Sequence, residues 1–369
     1  MEDYIDDNGS LGNTSDKPEE NTTPTEANTD ENANTVNTES TSETTNDLQF
    51  KSRLDLTELQ NSVLKIKQEV GKVIVGQKDM VDMLIASLLA KGHSLIEGVP
   101  GVAKTVTAKL LAKSLSVDFS RIQFTPDLMP SDILGTSIFN LKASEFEFKK
   151  GPIFSNMVLI DEINRAPAKT QAALFEVMEE QQITIDGNRF KLDSPFMVLA
   201  TQNPVEQEGT YRLPEAQLDR FLFKIDVDYP NLEEEIEILS REHELKDKTK
   251  TETITSFLTA EQIADYQNLV TQILVESHLL KYIAELIIAT RNNQFLYLGA
   301  SPRASIAILK ASKAFAAMSG RDFVTPEDIK RAAIPVLHHR VIVTPEREME
   351  GITSKEIIKQ IIETVEIPR

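Results

Sequence analysis

The residues best suited to chemistry sit in a short glycine-bearing turn, Glu97-Gly98-Val99-Pro100-Gly101-Val102-Ala103-Lys104-Thr105. An apolar stretch, Ser94-Leu95-Ile96, leads into it, and a helical pattern over 106–116 leads out. Strand, glycine turn, Lys-Thr and helix together describe a phosphate-binding loop. Its glycines let backbone N–H groups converge on phosphate oxygens, and the helix behind aims the positive end of its dipole at the same anion. Lys104 would reach the β- and γ-phosphates, and the Thr105 hydroxyl would bind Mg²⁺. The consensus asks for glycine immediately before the lysine; here Ala103 stands in that place, one methyl group removed from it.

A second group follows 57 residues after Lys104, where Met157-Val158-Leu159-Ile160 runs into Asp161-Glu162. Four consecutive apolar residues suit a strand buried on both faces of a parallel sheet, and ligands of such sheets bind at the C-terminal strand ends. Asp161 is placed to hold the Mg²⁺ shell and Glu162 to orient and deprotonate an attacking water. Phe196 to Ala200 is another buried strand; Asn203 follows it, where its amide can hold the same water or serve only as the turn residue before Pro204. Arg220 precedes the strand Phe221 to Val227 and can form a surface ion pair with Asp219. Arg303 occupies the second position of a helix capped by Ser301 and opened by Pro302. A cation there opposes the helix macrodipole, which is best explained by an anion at the same place.

These residues need a frame. Leu54 to Val73 and Lys78 to Ala90 read as helices, joined across Val75-Gly76-Gln77. The chain at Gly76 either lies close to a flat ligand or makes an ordinary helix-to-helix turn. Phe119 to Phe124 reads as a strand, 137–150 and 182–194 as hairpins, the second turned at Asp186-Gly187, and Thr170 to Glu180 as a helix. From Asn231 onward the pattern is helical, with a capping box at Thr259-Ala260-Glu261-Gln262, an N-cap at Thr325, and a last helix over Ser354 to Val365. His338-His339 reads as a helix-end pair and not as a metal site, because adjacent helical residues point in different directions.

Of the 369 residues none is cysteine, so disulfides, thiolate metal sites and cysteine nucleophiles are excluded. Residues 1–48 hold thirteen acids and one lysine, a charge of −12 against −19 for the whole chain. This stretch carries too little apolar area to offset its ordering entropy and is expected to be a disordered acidic tail, either a solubilising extension or an interaction segment. The remainder carries −7 and no dense Lys/Arg stripe, which argues against nucleic-acid binding. No apolar run approaches the ~20 residues of a membrane span, and the N-terminus lacks a signal-peptide pattern, so a cytoplasmic location is expected.

Taken together, Val75-Gly76-Gln77, the Glu97–Thr105 loop, 159–166, 200–204 and 213–221 resemble, in order and spacing, the motifs of an AAA+ ATPase of the MoxR family over about residues 51–369. Ala103 is usual in that family. The resemblance implies a P-loop α/β core (49–229) with a parallel sheet flanked by helices, a small all-α lid (230–369), and ATP with Mg²⁺ as ligands. It implies that Gly98 to Thr105 form Walker A, that Asp161 and Glu162 form Walker B, and that Gly76 and Gln77 lie beside the adenine. It further implies that Asn203 is sensor 1 and that Arg220 is an arginine finger acting on the neighbouring subunit of a ring, usually a hexamer. Arg303 would be sensor 2, reaching the γ-phosphate from the lid. MoxR proteins are regarded as chaperone-like, often with von Willebrand factor A domain partners. A magnesium-chelatase-like motor subunit shares the two hairpin inserts and is the alternative, as is an ATP-gated scaffold with little turnover, which retention of both Asp161 and Glu162 disfavours.

Overall fold

The computed structural model describes residues 53–142, 144–204, 210–244 and 256–367. The expectation of a disordered tail over 1–48 falls outside them. Five strands form one parallel sheet in the spatial order Phe223–Val227, Ser94–Gly98, Met197–Gln202, Met157–Asp161, Phe119–Gln123. Met157 to Ile160 and Val198 to Ala200 are fully buried, as strands covered on both faces must be. Alternation sorts their side chains between two cores. Ile96, Met157, Leu159 and Leu199 face one, with the helices Thr57–Gly71, Lys78–Leu89 and Lys104–Ser114. Leu95, Val158, Ile160 and Val198 face the other, with Leu174, Phe175 and Met178 of the helix Ala168–Glu180.

The register brings Gly98, Gln202, Asp161 and Gln123 to a common C-terminal rim, through the pairs Glu97↔Gln202, Ile160↔Ala200 and Gln123↔Asp161. The chain leaves Ser94–Gly98 inside the sheet and returns at the far edge with Phe119–Gln123. Two strands therefore separate consecutive ones, which opens a crevice above the rim where ligands bind in such sheets.

Both expected hairpins form, over Gly135–Asn140 with Glu145–Lys150 and over Gln182–Ile185 with Asn188–Lys191. Asp186 and Gly187 both take positive φ, as the tight turn between strands of right-handed twist requires. The hairpins touch: Ser137 Oγ donates to Asp186 Oδ2 at 2.6 Å, and the Phe148 and Phe190 rings lie 4.5 Å apart.

Beyond Val227 the chain is mainly helical, with principal helices Leu232–Glu244, Ala260–Thr271, Ser277–Arg291, Pro302–Met318, Pro326–Leu337 and Ser354–Thr364. The capping box at Thr259 forms: its hydroxyl accepts from Gln262 N at 3.3 Å and Gln262 Oε1 accepts from Thr259 N at 3.0 Å. Two short strand pairings interrupt the helices. Leu258–Thr259 runs parallel to Leu115–Ser116, and Leu296–Leu298 antiparallel to Ile342–Val343. The helical part packs directly on the sheet, and residues 51–369 form one unit.

The seam between them joins an apolar core, in which the Phe223 and Phe315 rings stack 6.0 Å apart, to a set of buried polar contacts. Arg340, with its side chain 3% exposed, donates to Asp219 Oδ1 at 2.7 Å and to the carbonyls of Asp219, Phe221 and Leu222. His338 and His339 bond the carbonyls of Lys224 and Phe221 at 2.9 and 3.2 Å. Asp219 is thus spent on Arg340 and not on Arg220, contrary to the pairing read from adjacency. Ser301 begins the Pro302 helix without a side-chain cap; its hydroxyl donates instead to Asp219 Oδ2 at 2.9 Å.

Candidate active site

The glycine turn leaves the sheet where Gly98 meets the edge strand. A Cβ at Gly98 would stand 2.6 Å from Val227 O, so only glycine fits. Gly101 takes φ +89°, and Ala103 takes φ 61°, ψ 20°, left-handed although it is not glycine. The phosphate-loop consensus for glycine at this position thus has a local cause. Alanine bears the same conformation at a cost of about 1–2 kcal/mol. Val102 is buried and pins the turn to the core. The helix Lys104–Ser114 starts with no side-chain cap and no acid in its first turn, which leaves its N–H groups and dipole to an anion. Lys104 Nζ folds back onto the carbonyls of Gly98 and Gln202, and the second lies 3.4 Å away.

Asp161 is the hub of the rim. Its Oδ1 accepts from Thr105 Oγ1 and from Thr201 Oγ1, both at 3.1 Å, and its Oδ2 pairs with Arg121 Nε at 2.6 Å. A hydroxyl and a carboxylate oxygen side by side are the hard donors that Mg²⁺ takes, so the residues present fit that ion. Glu162 follows in a left-handed conformation, φ 58°, with its N–H donating to Thr201 Oγ1 at 3.1 Å. Such strain in a non-glycine residue clusters at functional sites. Glu162 Oε2 accepts from Gln123 Nε2 at 2.9 Å and pairs with Arg165 at 2.8 Å. Asn203 is buried one residue past the Met197–Gln202 strand, on the same rim.

Gly76 takes φ +79°, and a Cβ there would press on the Glu234 carboxylate at 2.5 Å. Gln77 Nε2 reaches Asp228 O at 3.4 Å, which sets this segment beside the strand end that pairs with Gly98. Both line a cavity of about 500 Å³ together with Val70, Ile74, Val81 and Arg241.

Arg220 and Arg303 are brought together, but not at this rim. Both pair with Glu179, at 3.5 and 2.8 Å. Glu179 is the penultimate residue of Ala168–Glu180, which runs back from the rim, ~19 Å for thirteen residues. Its neighbour Met178 O bonds His93, the residue just before the Ser94–Gly98 strand. Arg303 therefore lies at the opposite end of the sheet from Lys104 and does not reach the phosphate loop of its own chain, because Asp219 ties Ser301, and with it the start of this helix, to the N-terminal sheet edge. The arginines line a cavity of about 260 Å³ with Lys91, Glu179, Lys310 and Arg340. His93 sits beneath it, its Nδ1 accepting from Val198 N at 3.0 Å. Burial pushes its pKa down to about 4, and the charge of Lys310 adds to the shift.

Residues 93–223 match the model of the ATPase family associated with various cellular activities (AAA), and 288–361 match the AAA lid domain. Chaperone MoxR1 of Mycobacterium tuberculosis is 43% identical over 82% of this chain and 81% of its own length. The chain belongs to the MoxR family of AAA+ ATPases. Uncharacterized protein YeaC of Bacillus subtilis is 47% identical over 82% of this chain and 94% of its own. A solved structure of a proposed ATPase from Cytophaga hutchinsonii shares 44% identity at a TM-score of 0.78, covering 85% of this chain and 97% of that one. The MoxR fold read from the motifs, a parallel sheet with flanking helices and a C-terminal lid, is the fold observed. Among the described residues no helix is long and apolar enough to cross a membrane, and no group of His, Asp and Glu clusters as a metal site.

Five site neighbours escaped the sequence reading. Gln123 and Thr201 stand at strand ends on the same rim as Asp161, and the strand-end rule that selected Asp161 applies to them equally. Glu179 carried a signal too: an acid in the last turn of a helix opposes its dipole. Arg121 and Arg165 carried none, since an exposed strand residue and a turn arginine are ordinary.

Proposed function

We propose that this MoxR protein is a Mg²⁺-dependent ATP hydrolase. The observation that carries the reading is the Thr105–Asp161 oxygen pair on the rim, with Glu162 strained beside it and the phosphate loop in front. The backbone N–H groups of 98–105 receive the phosphates, and Lys104 exchanges its carbonyl partners for β- and γ-phosphate oxygens. Thr105 and Asp161 would hold Mg²⁺, which would supply charge neutralisation when bound. Glu162 accepts the proton of the water that attacks the γ-phosphorus, and Asn203 orients that water; the bond to the β-phosphate oxygen breaks, giving ADP and phosphate. Gly76 and Gln77 flank the adenine beside the 500 Å³ cavity.

Arg220 and Arg303 serve together as the arginine face offered to the nucleotide of a neighbouring subunit, where positive charge stabilises the transferring phosphoryl group. This requires a homo-oligomeric ring, for which we propose a hexamer. Nucleotide-driven motion of the helical lid (230–369) against the core (49–229) would remodel protein clients in the cytoplasm, with von Willebrand factor A domain proteins as the partner class; the relative named a chaperone supports a protein client. Replacement of Glu162 by Gln tests the assignment: ATP affinity should stay within about twofold and kcat should fall on the order of a hundredfold. Turnover unchanged in that variant removes Glu162 from the mechanism.

A further inference from the structure

Arg220 and Arg303 come from different parts of the chain. Arg220 follows the short helix Glu215–Leu218, and Arg303 is the second residue of Pro302–Met318. Both reach one carboxylate: Glu179 Oε1 accepts from Arg303 Nη2 at 2.8 Å, and Oε2 lies 3.5 Å from Arg220 Nε. Each member of the main pair is set against its own helix. Arg303 places a cation in a first turn and Glu179 an anion in a last turn, and both oppose the macrodipole. Helix stability therefore explains neither. Pair energy does not explain them either, since the three side chains are 30–50% exposed and exposed pairs contribute little. The arrangement accomplishes something geometric. Two guanidinium groups that repel each other are held side by side at a cavity whose remaining cations are Lys91, Lys310 and the already paired Arg340.

We propose that Glu179 is the positioning residue of the arginine face: it holds the Arg220 of the core and the Arg303 of the lid in register, so that both meet the phosphates of the neighbouring subunit's nucleotide. The proposal rests on the reading that this face acts across a subunit boundary. With Glu179 neutralised, the two cations separate, and a displacement of about 1 Å at a phosphoryl-transfer site costs up to a hundredfold in rate.

The test mixes two inactive chains. Arg220→Ala offers a nucleotide site without a finger; Lys104→Ala offers a finger without a site. Mixing them with ATP should restore hydrolysis. Adding Glu179→Gln to the Lys104→Ala chain should cut the restored rate roughly tenfold, whereas adding it to the Arg220→Ala chain, whose face is already disabled, should leave the rate within twofold. The Tm of Glu179→Gln should stay within ~2 °C of the parent. Equal loss on either chain means a folding role, and no loss on either means no role; both overturn the proposal while leaving the action in trans intact. Absence of any rescue before Glu179 is changed overturns the reading beneath it and the proposal with it.

Discussion

Ala103 bears, within one residue, the conflict between backbone geometry and side chain that the phosphate loop imposes. Its left-handed φ of 61° costs an L-residue about 1–2 kcal/mol, and glycine avoids that cost while losing about 0.5–1 kcal/mol more chain entropy on folding. Ala103→Gly should therefore stabilise the protein by roughly 0.5–1 kcal/mol, read as a raised urea midpoint at unchanged slope. A lowered midpoint would show that the methyl group packs better than the strain it brings. Glu162 presents the same conflict at φ 58°, and its carboxylate is held on the rim by Gln123 and Arg165; strain of this kind gathers at functional sites.

At the scale of elements, Asp219 organises the polar part of the seam between sheet and helices, beside the apolar cluster that runs through both. Its two oxygens hold Arg340 at 2.7 Å and Ser301 at 2.9 Å, residues far along the chain that begin or follow helices of the lid. Burial lowers the pKa of Arg340, and the hydrogen bond and charge of Asp219 pull it back. Removing the acid leaves a buried guanidinium with backbone carbonyls alone. Asp219→Ala should cost about 3 kcal/mol, toward the lower end of values for a broken buried pair because those carbonyls remain. Chemical denaturation gives the figure directly, and a loss below about 1 kcal/mol would mean that the seam is held by apolar packing.

At the scale of the molecule, three histidines are buried in neutral form. Burial drives His93 and His338 down to about 4, and drives His339 well below its ordinary value with help from the charge of Arg340. Unfolding restores their ordinary pKa near 6.5, so the unfolded chain takes up protons that the folded chain refuses. Their contribution is fully present above pH 6.5 and is lost as pH falls toward 4, at about 1.4 kcal/mol per pH unit for each histidine. The Tm should fall steadily between pH 6.5 and 4.5, a window above the shifted carboxylates Asp55, Asp127, Glu261 and Glu356, whose pKa values are all lowered. Calorimetry at pH 5.5 in buffers of different ionisation enthalpy should register uptake of two to three protons on unfolding. A Tm independent of pH in this window would place these rings in water.

The sequence by itself determined what is local. The phosphate loop, the strand ending in Asp161-Glu162, the Asp186-Gly187 turn and the capping box at Thr259 are each written in a few adjacent residues, because strand burial, turn dihedrals and caps act over one to four positions. Two parallel-sheet strands were legible from unbroken apolar runs, and the membership in the MoxR family from the order of motifs. Tertiary structure alone decided which distant groups meet. Arg303 and Glu179 are 124 residues apart, and Arg340 and Asp219 are 121. No local energy distinguishes a lid that carries Arg303 to its own phosphate loop from one that carries it to the other end of the sheet; that choice belongs to the packing of the whole lid and to its buried charges. Adjacency even misled, since Asp219 turns away from Arg220 toward a better desolvated partner. Lys104 and its loop could be read as a phosphate site from nine residues, whereas the meeting of Arg220 and Arg303 on Glu179 became visible only when the lid was seated on the sheet.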